Sequence, residues 1–359
     1  MCQSFRDPIQ CIIPPYITER LLRSSDPAVR ARAEANVLAA TNARARRARI
    51  RSHESFHDIR TPTPGKRRLV YDAKKADALP GTLVRSEGQA AVDDPAVNEA
   101  FDHAGSTYDF YHEIFKRDSI DDKGLTLVGS VHLAESDGRG HYVPLDNAFW
   151  DGTQMAYGDG DGLIFQRFTR SLDVVGHELT HGVQSFTSNL AYEGQSGALN
   201  EHFADVFGAL VRQWRYGESA KTANWLIGAE VLVPAATRRG VRDMEHPGTA
   251  FTADPYLGTD PQPGHMSKLY NGGSDNGGVH INSGIPNRAF ALAAKAIGGN
   301  AWDVTGRIWF DTMVKLPKRA QFQECAELCI ETAAGHGDAA VRAVRHAWST
   351  VGVVEKVYA

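Results

Sequence analysis

The sequence predicts an α+β protein of two lobes, a mixed, strand-rich N-terminal lobe followed by a helical C-terminal lobe. Three observations carry that expectation. Strand-like runs such as Arg68-Leu69-Val70-Tyr71 and Leu125 to Leu133 crowd the first half, separated by Gly- and Asp-rich turns. From about Leu172 onward the apolar residues recur with helical spacing, over Asp173 to Ser185, Ala198 to Tyr216 and Pro286 to Ala296, then in further segments to the end. With 359 residues, 42% of them hydrophobic, the chain can bury a large core with more than one lobe around it.

In chain order, residues 1–52 read as an arm of their own. Ile12-Ile13-Pro14-Pro15-Tyr16-Ile17 is expected to be extended, because a proline disfavours helix in the residue before it. Asp26 reads as an N-cap with Pro27 in the first helical position, and the Ala- and Arg-rich stretch beyond continues as helix to about Arg51. Such an arm ends in an exposed, cleavable segment. Residues 53–185 form the N-terminal lobe, with a helix from Asp94 to Phe115 among its strands. Residues 186–359 form the helical lobe.

Composition excludes several classes of function. A formal net charge of −4 gives no field that favours nucleic acid or an anionic membrane, apart from the local run Arg44, Arg46, Arg47, Arg49 and Arg51. No stretch approaches the roughly 18 to 20 apolar residues of a membrane helix. Met1 to Asp7 has no basic start followed by an apolar middle, so the sequence reading places the protein in the cytoplasm and leaves non-classical release open. A monomer is expected. Four cysteines make no disulfide framework, and Cys325 and Cys329, four apart on a helix, read as buried thiols.

The chemistry gathers at His177-Glu178-Leu179-Thr180-His181. Residues four apart on a helix share a face, so both imidazoles can bind one cation while Glu178 reaches a metal-bound water. Val174, Val175, Leu179 and Val183 bury the helix and would hold these groups rigidly. A catalytic zinc site needs a third protein ligand and an open position for water. The next helix offers Glu201 as that ligand. Asp205, one turn on, would take a hydrogen bond from the outward nitrogen of a ligating histidine, and Asn200 is a further supporting residue. Leu199, Phe203, Val206, Phe207 and Leu210 make this helix too apolar for its carboxylates to be a solvated face.

HELTH followed by Gly197-Ala198-Leu199-Asn200-Glu201-His202-Phe203-Ala204-Asp205 resembles the thermolysin (gluzincin) family of zinc metallopeptidases. So do Asn147 to Trp150, Met155 to Gly162 and Asp275 to Gly284, in family order, and the resemblance covers roughly residues 55 to 359. It implies an active-site cleft between the lobes and a neutral endopeptidase with one catalytic Zn²⁺, in which Glu178 is the general base. It further implies that His280 and Tyr157 stabilise the tetrahedral intermediate and that Asp275 orients His280. By the same resemblance Asn147 and Ala148 pair with the substrate backbone and Arg242 contacts a substrate carbonyl. Phe165, Phe168, Val174 and Val241 then line an apolar pocket that favours a bulky hydrophobic residue after the scissile bond.

Two departures stand out. At the family's double calcium site Asp173 keeps one position, while Arg212, Asn224 and Ala229 replace carboxylates, so the calcium pair is expected to be absent; other calcium sites are left open. Arg212 is expected to reach Asp173 in the cation's place. The arm is also short. Pro14-Pro15-Tyr16 resembles the precursor segment of protealysin-like members, which implies an arm that lies in the cleft and keeps the enzyme latent until a cut near Arg49 to Phe56. A zinc-bearing protein without activity, or an arm that docks another macromolecule, are competing readings. The first suffers from the presence of Glu178 and His280.

Overall fold

A computed structural model describes residues 11–52, 64–136 and 141–355. The N-terminal start with Cys2, and Phe56 at the far end of the expected cut, lie outside the described residues. The arm forms α1 (Pro15–Leu21) and α2 (Pro27–Ser52). Asp26 caps α2 as its position suggests, accepting a hydrogen bond from the Ala28 amide at 2.8 Å. The extended expectation for residues 12–17 holds only through Pro14, which has φ −65° and ψ 149°. Pro15 instead begins α1, because its fixed φ and missing N–H are tolerated at the first helical position.

The N-terminal lobe holds β1 (Arg68–Asp72), β2 (Thr82–Ser86), α3 (Pro95–Phe115), β3 (Leu127–Ser136), β4 (Tyr142–Pro144), β5 (Ala148–Trp150) and β6 (Met155–Gly158). Among the described residues the sheet order is β2-β1-β3-β6-β5, with β4 paired to β3. β1, β3 and β6 run parallel, and β2 and β5 are antiparallel additions at the two edges. β3 breaks register against β6 around His132, whose φ of 57° is left-handed. The backbone cost, about 1–2 kcal/mol for an L-residue, is offset by its ring. Nδ1 sits 2.8 Å from Asp159 and Nε2 2.7 Å from Asp94, the N-cap of α3. These carboxylates raise the His132 pKa to about 9, Asp159 foremost.

α4 (Leu172–Ser185) and α5 (Gly194–Tyr216) then cross at close range. A Cβ on Gly176 would meet Gly208 Cα at 3.1 Å, and one on Gly208 would meet the His177 amide nitrogen at 3.0 Å. Glycine at both positions lets the helices approach closely enough to share one small site. β7 (Leu226–Ile227) and β8 (Arg242–Asp243) pair beyond them. α6 (Asp275–Asn282), α7 (Gly284–Ile297), α8 (Val304–Lys315), α9 (Phe322–Ala333) and α10 (Asp338–Thr350) complete the helical lobe. One apolar cluster runs from Ile12 of the arm through α3, α4 and α5 to Trp348 of α10. Cys325 and Cys329 are free and buried on α9.

Candidate metal centre and cleft

The helix spacing brings His177, His181 and Glu201 together, all fully buried, with one ligand atom from each lying within 4.8 Å of the others. The two histidine Nε2 atoms are 3.1 Å apart, and Glu201 oxygens lie 3.5 Å from His177 Nε2 and 3.4 Å from His181 Nε2. Asp205 is 2.9 Å from His177 Nδ1, and Asn200 Oδ1 is 2.8 Å from His181 Nδ1. Each acceptor fixes a tautomer with the proton on Nδ1, so both Nε2 lone pairs face inward beside a carboxylate. Glu201 Oε2 is buried without a hydrogen-bond donor. Three inward lone pairs repel one another in a buried space, and a divalent cation relieves that repulsion. Two imidazoles and one carboxylate are the donor set that suits zinc.

Asp205 is held from three sides. Arg242 donates from Nε and Nη2 at 2.8 Å each, and Asn287 Nδ2 donates at 2.8 Å. Burial alone would raise the Asp205 pKa, but Arg242 and His177 outweigh it and keep the carboxyl well below the usual range. Glu178, next to the first histidine, accepts the Trp150 amide at 3.0 Å from β5, which aims it along the sheet edge. His202, inside the same motif, points elsewhere: Asn287 Oδ1 and Trp309 Nε1 occupy its two nitrogens at 2.8 and 2.9 Å, and burial lowers its pKa to about 4.

α6 begins with a left-handed stretch at Asn276, Gly277 and Gly278, which folds Asp275 back beneath His280. Asp275 accepts the His280 amide at 2.8 Å and lies 2.6 Å from His280 Nδ1. Burial pulls the His280 pKa down, yet Glu201 and Asp275 outweigh it and raise it to about 9. His280 Nε2 stands 3.6 Å from Glu201 Oε1.

Tyr157 corrects the sequence reading. Its ring is 1% exposed on β6, where a Cβ on Gly129 of the neighbouring β3 would meet its Cε2 at 3.4 Å, so it packs into the sheet core. The hydroxyl at the metal centre is that of Tyr192, which donates to Glu201 Oε1 and lies 3.1 Å from His280 Nε2. Sequence reasoning missed it. The available signal was positional: the short α4–α5 connection must pass the site that both helices serve, and Tyr192 lies in it. Asn287 was missed for a related reason, since only tertiary folding brings α7 to Asp205.

A second correction concerns Arg212. It pairs with Glu218 at 2.7 Å, six residues away, and not with Asp173. Asp173 is satisfied by its own Val174 amide at 2.8 Å, the Gly228 amide at 3.0 Å and the Ser171 hydroxyl.

The arm occupies the cleft beside this centre. Cys11 bridges Phe149 in antiparallel fashion at the β5 edge, and the Ile12 amide donates to Ala148 O at 3.3 Å. The Ile13 amide donates to Asn147 Oδ1 at 3.1 Å, and Arg242 Nη1 donates to Ile12 O at 3.0 Å. Phe165, Phe168, Val174 and Val241 are fully buried in the same apolar cluster as Ile12. Pro14 then caps α1, and Pro15 and Tyr16 start it on the cleft side. Farther along, Arg32 Nη1 donates to Asp161 O at 2.8 Å. Asn36 receives the Asp146 amide at 2.8 Å, and Asn42 Nδ2 reaches Glu135 at 2.8 Å.

Comparisons with known proteins agree with this geometry. The family model for the catalytic domain of thermolysin metallopeptidases matches residues 49–185, and that for their alpha-helical domain matches residues 188–353. An extracellular metalloprotease of Pectobacterium carotovorum subsp. carotovorum is 45% identical over 96% of this chain and 97% of its own length. Protease PrtS of a Photorhabdus species is 46% identical over 80% of this chain and 77% of its own. A solved structure, the precursor of protealysin, a metalloproteinase from Serratia proteamaculans, superposes with a TM-score of 0.85. It has 44% sequence identity and covers 96% of this chain and 100% of that one. The expectation of a cytoplasmic protein does not survive this comparison, because a relative matched over nearly its whole length is named extracellular. Near-neutral charge and few cysteines suit either side of a membrane, so composition had no power to decide.

Proposed function

The chain belongs to the thermolysin metallopeptidase family and is a metalloendopeptidase, and from that premise we propose that it cleaves peptides before bulky hydrophobic residues and is made latent by residues 1–52. The observation that carries the reading is the buried convergence of His177, His181 and Glu201 with Glu178 fixed beside it. These three side chains would hold one zinc ion, with no calcium pair at Asp173. Bound there, zinc would lower the pKa of a coordinated water to about 7 and would polarise the substrate carbonyl.

The chain's own groups do the rest. Glu178 takes the proton of the attacking water and passes it to the leaving amine. His280 Nε2 and the Tyr192 hydroxyl donate to the carbonyl oxygen as it gains charge, and Asp275 keeps His280 in position. Asn147 and Ala148 pair with the substrate backbone as an added strand, and Arg242 takes the carbonyl of the residue after the scissile bond. That residue's side chain enters the apolar pocket of Phe165, Phe168, Val174 and Val241. The arm fills these same positions, and burying Ile12 and Ile13 contributes about 1.5–3 kcal/mol each to holding it there.

The test is hydrolysis of casein and of a peptide library by the processed protein. Chelator-sensitive cleavage before Leu, Ile or Phe is expected. Cleavage mainly before charged residues would contradict the pocket, and activity indifferent to chelation would contradict the metal reading.

A further inference from the structure

Three consecutive residues of the arm meet the groups assigned above to a peptide substrate, each in its proper order. His280 Nε2 donates to Cys11 O at 3.2 Å, the Ile12 amide donates to Ala148 O at 3.3 Å, Arg242 donates to Ile12 O at 3.0 Å, and the Ile13 amide donates to Asn147 Oδ1 at 3.1 Å. We propose that the arm lies in productive register and that the enzyme hydrolyses its own Cys11–Ile12 bond, within one molecule. The proposal rests on the peptidase reading and adds to it a bond in the chain itself.

The register decides which bond is exposed to attack. Alternate residues of an extended chain face opposite ways, so a shift by one would turn Ile12 out of the apolar cluster where it is 0% exposed. The carbonyl of Ile12 is held by Arg242, whose other nitrogens are tied to Asp205. The carbonyl of Cys11 is held by His280, whose Nε2 is 3.6 Å from Glu201 Oε1 and 3.1 Å from the Tyr192 hydroxyl. The Cys11 carbonyl thus lies on the metal side, with His280 placed to donate to the oxyanion that forms when a nucleophile adds to Cys11 C. Water adds its oxygen to Cys11 C, the C–N bond to Ile12 breaks, Cys11 leaves as a carboxylate and Ile12 as an ammonium. Nothing is oxidised or reduced.

The sequence chemistry agrees with this geometry. Ile12 is the bulky apolar residue that the pocket favours after the scissile bond, and the bound arm has no diffusional step to make. The nick differs from the cut expected near Arg49 to Phe56. It leaves α1 and α2 seated through the contacts of Arg32, Asn36 and Asn42, so it precedes removal of the arm and does not replace it.

The experiment incubates the full chain with zinc and follows intact mass and N-terminal sequence, at several protein concentrations. Loss of residues 1–11, with a new N-terminus at Ile12 and a rate independent of protein concentration, is the expected result. Glu178→Ala should slow the nick by roughly 10² to 10⁴. Ile12→Leu should keep it, and Ile12→Asp should lose it while casein hydrolysis after removal of the arm stays normal. A second readout does not depend on turnover: in full-length Glu178→Ala, hydrogen exchange should be slow at the Ile12 and Ile13 amides. An intact Cys11–Ile12 bond in a preparation with normal casein hydrolysis, or fast exchange at those two amides, would overturn the proposal. Absence of casein hydrolysis altogether would overturn the peptidase reading instead.

Discussion

At the metal centre, two helices meet at a glycine crossing, and the outward nitrogen of each ligating histidine is tied to a named partner, Asp205 or Asn200. A few ångströms away, along β5, the arm is held by backbone pairing, one arginine and a row of carboxylates that face Asn36, Arg32 and Asn42. The first region is preorganised by elements that cannot move apart without exposing the core. The second lies against an edge strand that, on the function proposed above, also takes substrate, and its strength is spread over contacts that can be undone singly. Rigid chemistry beside a reversible lock is what the latency proposed above would require.

The largest expected effect would break the comparison at its rigid side. Glu178→Ala should cut turnover of the processed protein by roughly 10² to 10⁴ while zinc content stays at one per chain. Loss of metal with the activity would mean that Glu178 supports the site and does not do the chemistry. Next in size, Asp205→Asn should weaken zinc binding about 10- to 100-fold, measured by equilibrium dialysis. Unchanged affinity would show that Arg242 and Asn287, and not His177, are what Asp205 serves.

The helix-borne part of this centre was legible in the sequence because spacing alone puts His177 with His181 and Glu201 with Asp205. What spacing does not report is where a side chain points once a strand is packed. Tyr157 sits in a segment that resembles the family, yet its ring faces the core of the sheet, and the hydroxyl at the metal centre is that of Tyr192, in a connection with no periodicity to read. Arg212 fails for a similar reason: a nearby carboxylate on its own segment, Glu218, captures it before Asp173 can. The two lobes were readable because alternation gives way to helical spacing near Leu172. The start of α1 at Pro15 was not, since a proline both ends an extended run and opens a helix.

Two smaller effects remain, the first on the arm side and the second within the N-terminal lobe. Burial, with Asp161 adding to it, raises the Asp146 pKa to about 8, against the opposing pull of Arg32 and the Asn36 hydrogen bond. A carboxyl raised by burial contributes to the folded, arm-bound state fully below its free value of about 4, and that contribution is lost as pH rises through about 8. Protease susceptibility of the arm in full-length Glu178→Ala should therefore increase from pH 6 to pH 9, and Asp146→Asn should flatten that rise. An identical profile in the variant would remove Asp146 from the lock. The smallest effect concerns the β3–α3 junction. Because His132 is raised to about 9 by Asp159 and Asp94, its contribution is complete below about 6.5 and lost as pH rises through about 9. The Tm deficit of His132→Ala against the unaltered chain should be larger at pH 6 than at pH 10, and an equal deficit at both would deny the charged clamp.

One ion held by side chains from α4 and α5 underlies every step proposed for this chain. X-ray absorption at the zinc edge, on the full chain and on Glu201→Ala, tests this most directly. It should find one zinc per chain with two nitrogen ligands and a carboxylate oxygen at about 2.0–2.2 Å, and markedly weaker retention in the variant. Equal retention of zinc by Glu201→Ala, or a shell without two imidazoles, would contradict it.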